Sequence, residues 1–256
     1  ILAAQLQSRL DINSLGKNAF SPLAGLILRH NDIPLRLRTL WSYNFRLPNF
    51  NEMYYLNFGT ASLHPERAQS LNLGLVWDIT PNFQAEAETF VISTNDLIIA
   101  VPKSPVTWSA QNIGHVLSRG VELSCGGEII PQLLSGRIAY TRQTTTDETV
   151  NSITLGKQIQ YIPQEIISGN AIVTIDKSMV GFSANYSSFR YTLADNSSES
   201  TLPSYIQVNV FAEQKITIGN INFTLRADCN NLFNEQYSVV LNYPMPGRGF
   251  RFGVRT

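Results

Sequence analysis

The chain of 256 residues is 43% hydrophobic but only 15% charged, where an ordinary soluble domain carries about 25% charged residues. Nineteen basic and nineteen acidic residues cancel to a formal net charge of zero, which argues against a nucleic-acid binder, a polybasic membrane-surface protein or an acidic tail. The longest tidy apolar run, residues 97–101, falls far short of the ~18 residues of a membrane-spanning helix, so a helical membrane protein is excluded while a membrane barrel is not.

In chain order, residues 1–11, 18–30 and 34–43 read as strands, the first two joined by a short hairpin near Ser14 to Lys17. From 67–79 the period-two pattern is explicit, with Leu71, Leu73, Leu75, Trp77 and Ile79 on one face and Asn72, Gly74, Val76 and Asp78 on the other. Strands at 82–93, 111–125, 133–142, 165–176, 178–190 and 204–216 continue it. In 219–230, Ile221, Phe223, Leu225, Ala227 and Cys229 oppose Asn222, Thr224, Arg226, Asp228 and Asn230, and 248–256 closes the series of about twelve. Short turns (30–34, 80–81, 126–132, 176–178, 216–219) alternate with long polar segments (44–66, 94–110, 143–164, 191–203, 231–247). That segregation describes an antiparallel outer-membrane barrel, with tight periplasmic turns and longer extracellular loops. Periodicity alone leaves a soluble all-β protein open, because it does not say which face is wet. Aromatics near strand ends (Trp41, Tyr43, Trp77, Tyr140, Tyr186, Tyr205) favour the membrane, where such residues form interfacial girdles.

Isolated groups carry little chemistry. Cys125 and Cys229 are too far apart in sequence for a disulfide framework or clustered zinc site, and His30, His64 and His115 are too scattered for a metal-ligand set. No serine, histidine and acid or amide read as gathered at one height on neighbouring strands, and phosphate-cradling glycine loops are missing, so no catalytic residue, cofactor or metal is expected. Arg119 and Glu122 flank Gly120 and read as a lumen-wall ion pair.

Four stretches carry a resemblance: 45–52 (Phe45, Arg46, Leu47, Pro48, Asn49, Phe50, Asn51, Glu52) followed by 63–67; Asn112, Ile113 and Gly114 followed by 118–122; 231–237; and 242–248. In order and spacing they resemble the C-terminal half of a TonB-dependent outer-membrane receptor. The resemblance implies a 22-stranded transmembrane barrel plugged by an N-terminal domain, taking up ferric siderophores, haem or cobalamin with energy from an inner-membrane partner. Residues 1–256 would then be the C-terminal part of that barrel. The first barrel strands, the plug and the TonB-contacting segment would precede Ile1, absent from this chain. One departure is Thr256, where bacterial outer-membrane barrels commonly end on an aromatic residue.

By that resemblance and the strand parity, 44–66 is an extracellular loop, with Arg46 to pair with an anionic group and Tyr54, Tyr55 and Phe58 to stack on a flat ligand. Trp108 in 94–110, and Tyr237 and Tyr243 in 231–247, face the same mouth. The alternative for each ring is packing of the loop on its neighbours, as for Phe45, Phe50 and Tyr54. Moderate loop lengths point to a compact ligand, a ferric siderophore or cobalamin. The expected partners are that ligand, the lipid bilayer and TonB, with no nucleic acid. A self-contained twelve-stranded passive pore or an outer-membrane enzyme is the alternative, and a soluble carbohydrate-binding β-protein a distant third.

Overall fold

The computed structural model describes residues 1–12, 18–30, 32–104 and 107–256. The expected hairpin near Ser14 to Lys17 therefore lies outside the described residues. Twelve strands form one antiparallel sheet: β1 (Leu2–Asp11), β2 (Ala19–Arg29), β3 (Leu35–Arg46), β4 (Glu66–Thr80), β5 (Phe83–Ser104), β6 (Thr107–Ile130), β7 (Leu134–Asp147), β8 (Glu165–Ile175), β9 (Ser178–Ser187), β12 (Tyr205–Ile218), β13 (Ile221–Asn230) and β16 (Gly249–Arg255). Each pairs only with its neighbours in that order, so the sheet is a meander with β1 and β16 at its two edges. Between them lie α1 (Phe50–Tyr54) and two short hairpins, β10 (Arg190–Tyr191) with β11 (Thr201–Leu202) and β14 (Ser238–Val240) with β15 (Tyr243–Pro244).

Register fixes the faces. Leu35 lies opposite Trp77, Trp77 opposite Ala85, Ala85 opposite Cys125 and Cys125 opposite Ile138, so one apolar side runs unbroken across five strands. This side is not covered. Leu71 is 53% exposed, Leu225 40% and Phe252 79%, which a dry sandwich interior would not leave open and a lipid-facing wall requires. The other face is polar, and several of its charges are paired. Arg38 contacts Glu88 at 2.7 Å, Asn72 donates to the same carboxylate at 2.9 Å, and Arg36 contacts Asp78 at 2.7 Å. Across the sheet Arg226 reaches Asp228 at 2.9 Å and lies 4.0 Å over the Phe211 ring. Gly181 makes room for that ring, because a Cβ there would overlap it.

Several expectations are corrected. Arg119 pairs with Val91 and Thr144, while Glu122 pairs with Glu88 and Thr141; residues three apart on a strand point to opposite faces, so the expected ion pair does not form. Tyr205 belongs to the polar face, opposite Ser187, and not to the outer girdle. The described part of segment 94–110 is not a loop, because β5 continues to Ser104 and β6 starts at Thr107, the two paired. Asp96 takes a single left-handed conformation (φ 57°) without losing register, since Asn95 pairs with His115 and Leu97 with Ile113. Ile98 and Ala110 on this extension bury with Leu63, and Phe58 packs against them.

Candidate functional site

All the long connections of the described sheet leave from one end, and their placement starts with a few hydrogen-bonded side chains. Asn49 caps α1: Glu52 N–H donates to its Oδ1 and Asn49 N–H donates to Glu52 Oε2, each at 2.8 Å. This is a capping box, which satisfies two otherwise orphan donors. Arg46 then holds the helix to the strands, contacting Glu52 at 3.0 Å and Glu66 at 2.6 Å. Its pKa is raised, chiefly by Glu66.

Asn112 ties that loop to the β5–β6 extension. It accepts from His64 N–H at 2.9 Å and donates to the His64 and Asp96 carbonyls at 3.0 and 2.7 Å. A second clasp is built on Asn231, which is 1% exposed. Its N–H donates to Asn209 Oδ1 at 2.9 Å, its Oδ1 accepts from Glu235 N–H at 2.8 Å, and its amide donates to the Glu235 and Pro246 carbonyls. The recognisable stretches of the sequence thus act mainly by fastening loops to strand ends.

Between the fastened loops lies a cleft of about 830 Å³. Tyr55 and Phe58, just after α1, line it together with Asn51 of α1, Ile99 and Ala100 of β5 and Trp108 of β6. Gln160, Tyr161, Val240 and Tyr243 complete the lining. The Trp108 and Tyr161 rings meet at 5.8 Å and 51°. Tyr161 has a left-handed backbone (φ 63°), an uncommon conformation for an aromatic residue. Its N–H donates to the Tyr191 carbonyl at 2.8 Å. Burial pushes the Tyr161 hydroxyl above the ordinary tyrosine range, with the Leu241 backbone pulling partly back, but no well-formed hydrogen bond satisfies it. Gln160 is 5% exposed and its Nε2 donates to the Ala100 carbonyl at 3.4 Å, while its Oε1 has no partner.

Of the seven residues named from the sequence, the structure brings Tyr55, Phe58, Trp108 and Tyr243 together in this cleft. Arg46 is committed to its two glutamates. Tyr54 leans on Phe50, ring to ring at 5.1 Å. Tyr237 stacks on Tyr205 at 4.2 Å, with the buried Arg190 guanidinium 5.1 Å over the Tyr205 ring. Burial pushes the Tyr237 hydroxyl up, Tyr205 adding to it, and pushes the Arg190 pKa down. Sequence reasoning missed Tyr161, an aromatic in a loop at the same end that the criterion applied to Trp108 would have selected. It also missed Gln160, for which the sequence offers no signal.

One serine–histidine contact was also missed: Ser93 Oγ and His115 Nε2 on adjacent strands lie 2.9 Å apart. Among the described residues no carboxylate or amide hydrogen-bonds the other ring nitrogen to complete a triad.

Comparison with known proteins places this geometry. The family model "TonB dependent receptor-like, beta-barrel" matches residues 3–232. The chain belongs to the TonB-dependent receptor β-barrel family. The vitamin B12 transporter BtuB of Vibrio vulnificus (strain YJ016) is 24% identical over 198 residues, covering 76% of this chain and 30% of the transporter. The probable TonB-dependent siderophore receptor PiuA of Acinetobacter baumannii is 25% identical over 193 residues, 71% of this chain and 25% of that receptor. Among solved structures, the siderophore receptor PiuA from Acinetobacter baumannii superposes with a TM-score of 0.71 at 20% identity, over 93% of this chain and 36% of that one. The copper transporter OprC gives 0.74 at 16% identity, over 93% and 38%. This receptor chain therefore spans about a third or less of the curated relatives it matches. The family places it in the outer membrane of Gram-negative bacteria, with the apolar face of its sheet toward lipid.

Proposed function

We propose that the chain is the C-terminal part of a 22-stranded barrel in a receptor for TonB-dependent active uptake of a compact, scarce ligand, a ferric siderophore or cobalamin. The barrel's first strands, the plug and the TonB-contacting segment belong to the N-terminal part of that receptor. The open edges of the sheet support this reading, since β1 and β16 carry unpaired backbone groups that hydrocarbon does not tolerate. The observation that carries the function is the aromatic cleft at the loop end of a polar-faced sheet: flat rings capture a ligand from dilute solution, and the charged, hydrogen-bonding wall below guides it inward. No chemistry on the ligand is part of this reading, because the Ser93–His115 pair has no third member among the described residues.

Growth on a ferric siderophore or on cobalamin as the sole source of iron or corrinoid, with the gene present, deleted and restored, tests the proposal. TonB-dependent growth on either supports it, and growth that is the same in all three strains on both sinks it.

A further inference from the structure

We infer that the outer side of the wall binds the phosphate of an outer-leaflet lipid between Arg119 of β6 and Arg142 of β7, with the lipid's acyl chains along the apolar band beneath. Register fixes the face. Arg119 pairs with Val91, Val91 with Leu71, and Arg142 with Val121, so both arginines stand on the apolar, lipid-facing side. They stand at its edge. The band ends at Leu71 on β4, Val91 on β5, Val121 on β6 and Tyr140 on β7, followed on the same face by Gln69, Ser93, Arg119 and Arg142. That edge drops by one outward position from β5 to β6 and by another from β6 to β7. The opposite edge drops with it: Gly127 lies opposite Phe83 at the β4–β5 turn, and β6 runs on to Ile130. A level membrane boundary crosses tilted strands in this way, and the end bearing the long connections is the extracellular one.

Charge at this edge is one-sided. Arg119 is exposed and has no ion pair or side-chain hydrogen bond among the described residues. Arg142, also exposed, shares Glu165 Oε1 with the Tyr140 hydroxyl, at 3.3 and 3.1 Å. Glu148, farther out, holds the Thr146 hydroxyl at 2.8 Å. Because Arg119 pairs with Thr144, it is the diagonal neighbour of Arg142, about 7–8 Å away. Two cations so placed repel, and a phosphate between them gives each guanidinium a charge-assisted, two-point contact. Arg67, exposed on the same face of β4, extends the strip. Lys103, Lys157 and Arg248 add positive charge at this end, on the β5–β6 extension and the loops beyond the wall. Basic residues at a membrane edge recognise anionic headgroups. The site does not depend on the uptake reading, since a barrel seated in the outer membrane would keep it whether or not it transports.

The test uses the full-length receptor containing this chain, stripped of lipid in detergent and titrated by native mass spectrometry. The probes are bis-phosphorylated lipid A, the same lipid A with both phosphates removed, and inorganic phosphate. Wild type is expected to bind the phosphorylated lipid at least about tenfold more tightly than the dephosphorylated one. The double variant Arg119→Gln/Arg142→Gln is expected to lose that preference, and Arg137→Gln, which removes an arginine from the opposite face of β7, to keep it. If the double variant does not assemble, Arg119→Gln alone, which breaks no pairing among the described residues, is expected to lower the preference at least about threefold. Equal binding of the two lipids by wild type, an unchanged preference in the double or the single variant, or an equal loss in Arg137→Gln overturns the inference. So does displacement of the lipid by an equal concentration of inorganic phosphate, which would make this a site for the free anion.

Discussion

Asn231 and Gln160 are both buried amides at the loop end, 1% and 5% exposed, and they are held in opposite ways. Asn231 is saturated: its Oδ1 and Nδ2 are bonded to the Glu235 and Pro246 backbone, and its own N–H to Asn209. Gln160 makes one long bond and leaves its oxygen unpaired, next to a tyrosine whose hydroxyl is also unsatisfied. Buried polar groups that a fold uses for itself are satisfied within it. Gln160 Oε1 and the Tyr161 hydroxyl are closed off from solvent and unpaired, as Arg36 Nε and Arg190 Nε are elsewhere in the chain, so this wall is held by packing, while the saturated clasp is held by its hydrogen bonds.

The largest effect is expected at the clasp. Asn231→Leu strands the Glu235 N–H and two carbonyls under a side chain that cannot answer them, and is expected to cost the folded receptor about 3 kcal/mol. Urea titration of the receptor refolded into lipid vesicles measures it; a midpoint unchanged from wild type would mean that the clasp does not hold the 231–247 loop.

The cleft should respond in affinity and not in assembly. Replacing Tyr55, Trp108 and Tyr243 by alanine is expected to weaken ligand capture by about 1–3 kcal/mol, while the receptor still assembles and migrates as a heat-modifiable band. Loss of the folded band would make these rings part of the scaffold. Between these extremes lies Asn112→Ala, which releases His64 and Asp96 from each other. It is expected to cost about 1–2 kcal/mol of stability and to loosen the wall carrying Tyr55 and Phe58, so that affinity falls with it. Reduced stability with unchanged affinity would show that the 47–65 loop positions itself without this tie.

The twelve strands were legible because a wall between lipid and a polar interior imposes strict alternation, which Leu71 to Ile79 and Ile221 to Cys229 spell out residue by residue. The β5–β6 extension was not, because its order comes from elsewhere in the chain. Glu66 Oε1 accepts from Ile98 N–H at 2.7 Å and Asn112 binds two carbonyls, so residues 94–104 and 107–110 are strands by virtue of a loop some thirty to fifty positions away. The same limit applies at the site. That aromatics would gather at the mouth followed from their positions on one end of the meander. Which of them would be spent on one another, as Tyr237 is on Tyr205, depends on ring contacts between segments that no local pattern reports.

The smallest effect is expected at Tyr54. It stands next to Tyr55 in sequence and is similarly exposed, 56% against 63%, so sequence gives the two equal standing. Their settings differ: Tyr55 lines the cleft while Tyr54 does not and rests on Phe50. A half-exposed ring pair on a one-turn helix contributes little, since most of its apolar area stays in water with or without the partner. Tyr54→Ala is therefore expected to change stability and ligand affinity by less than about 0.5 kcal/mol, while Tyr55→Ala alone lowers affinity measurably in a calorimetric titration. Equal losses from the two single substitutions would place the ligand over the helix surface and not in the cleft beneath it.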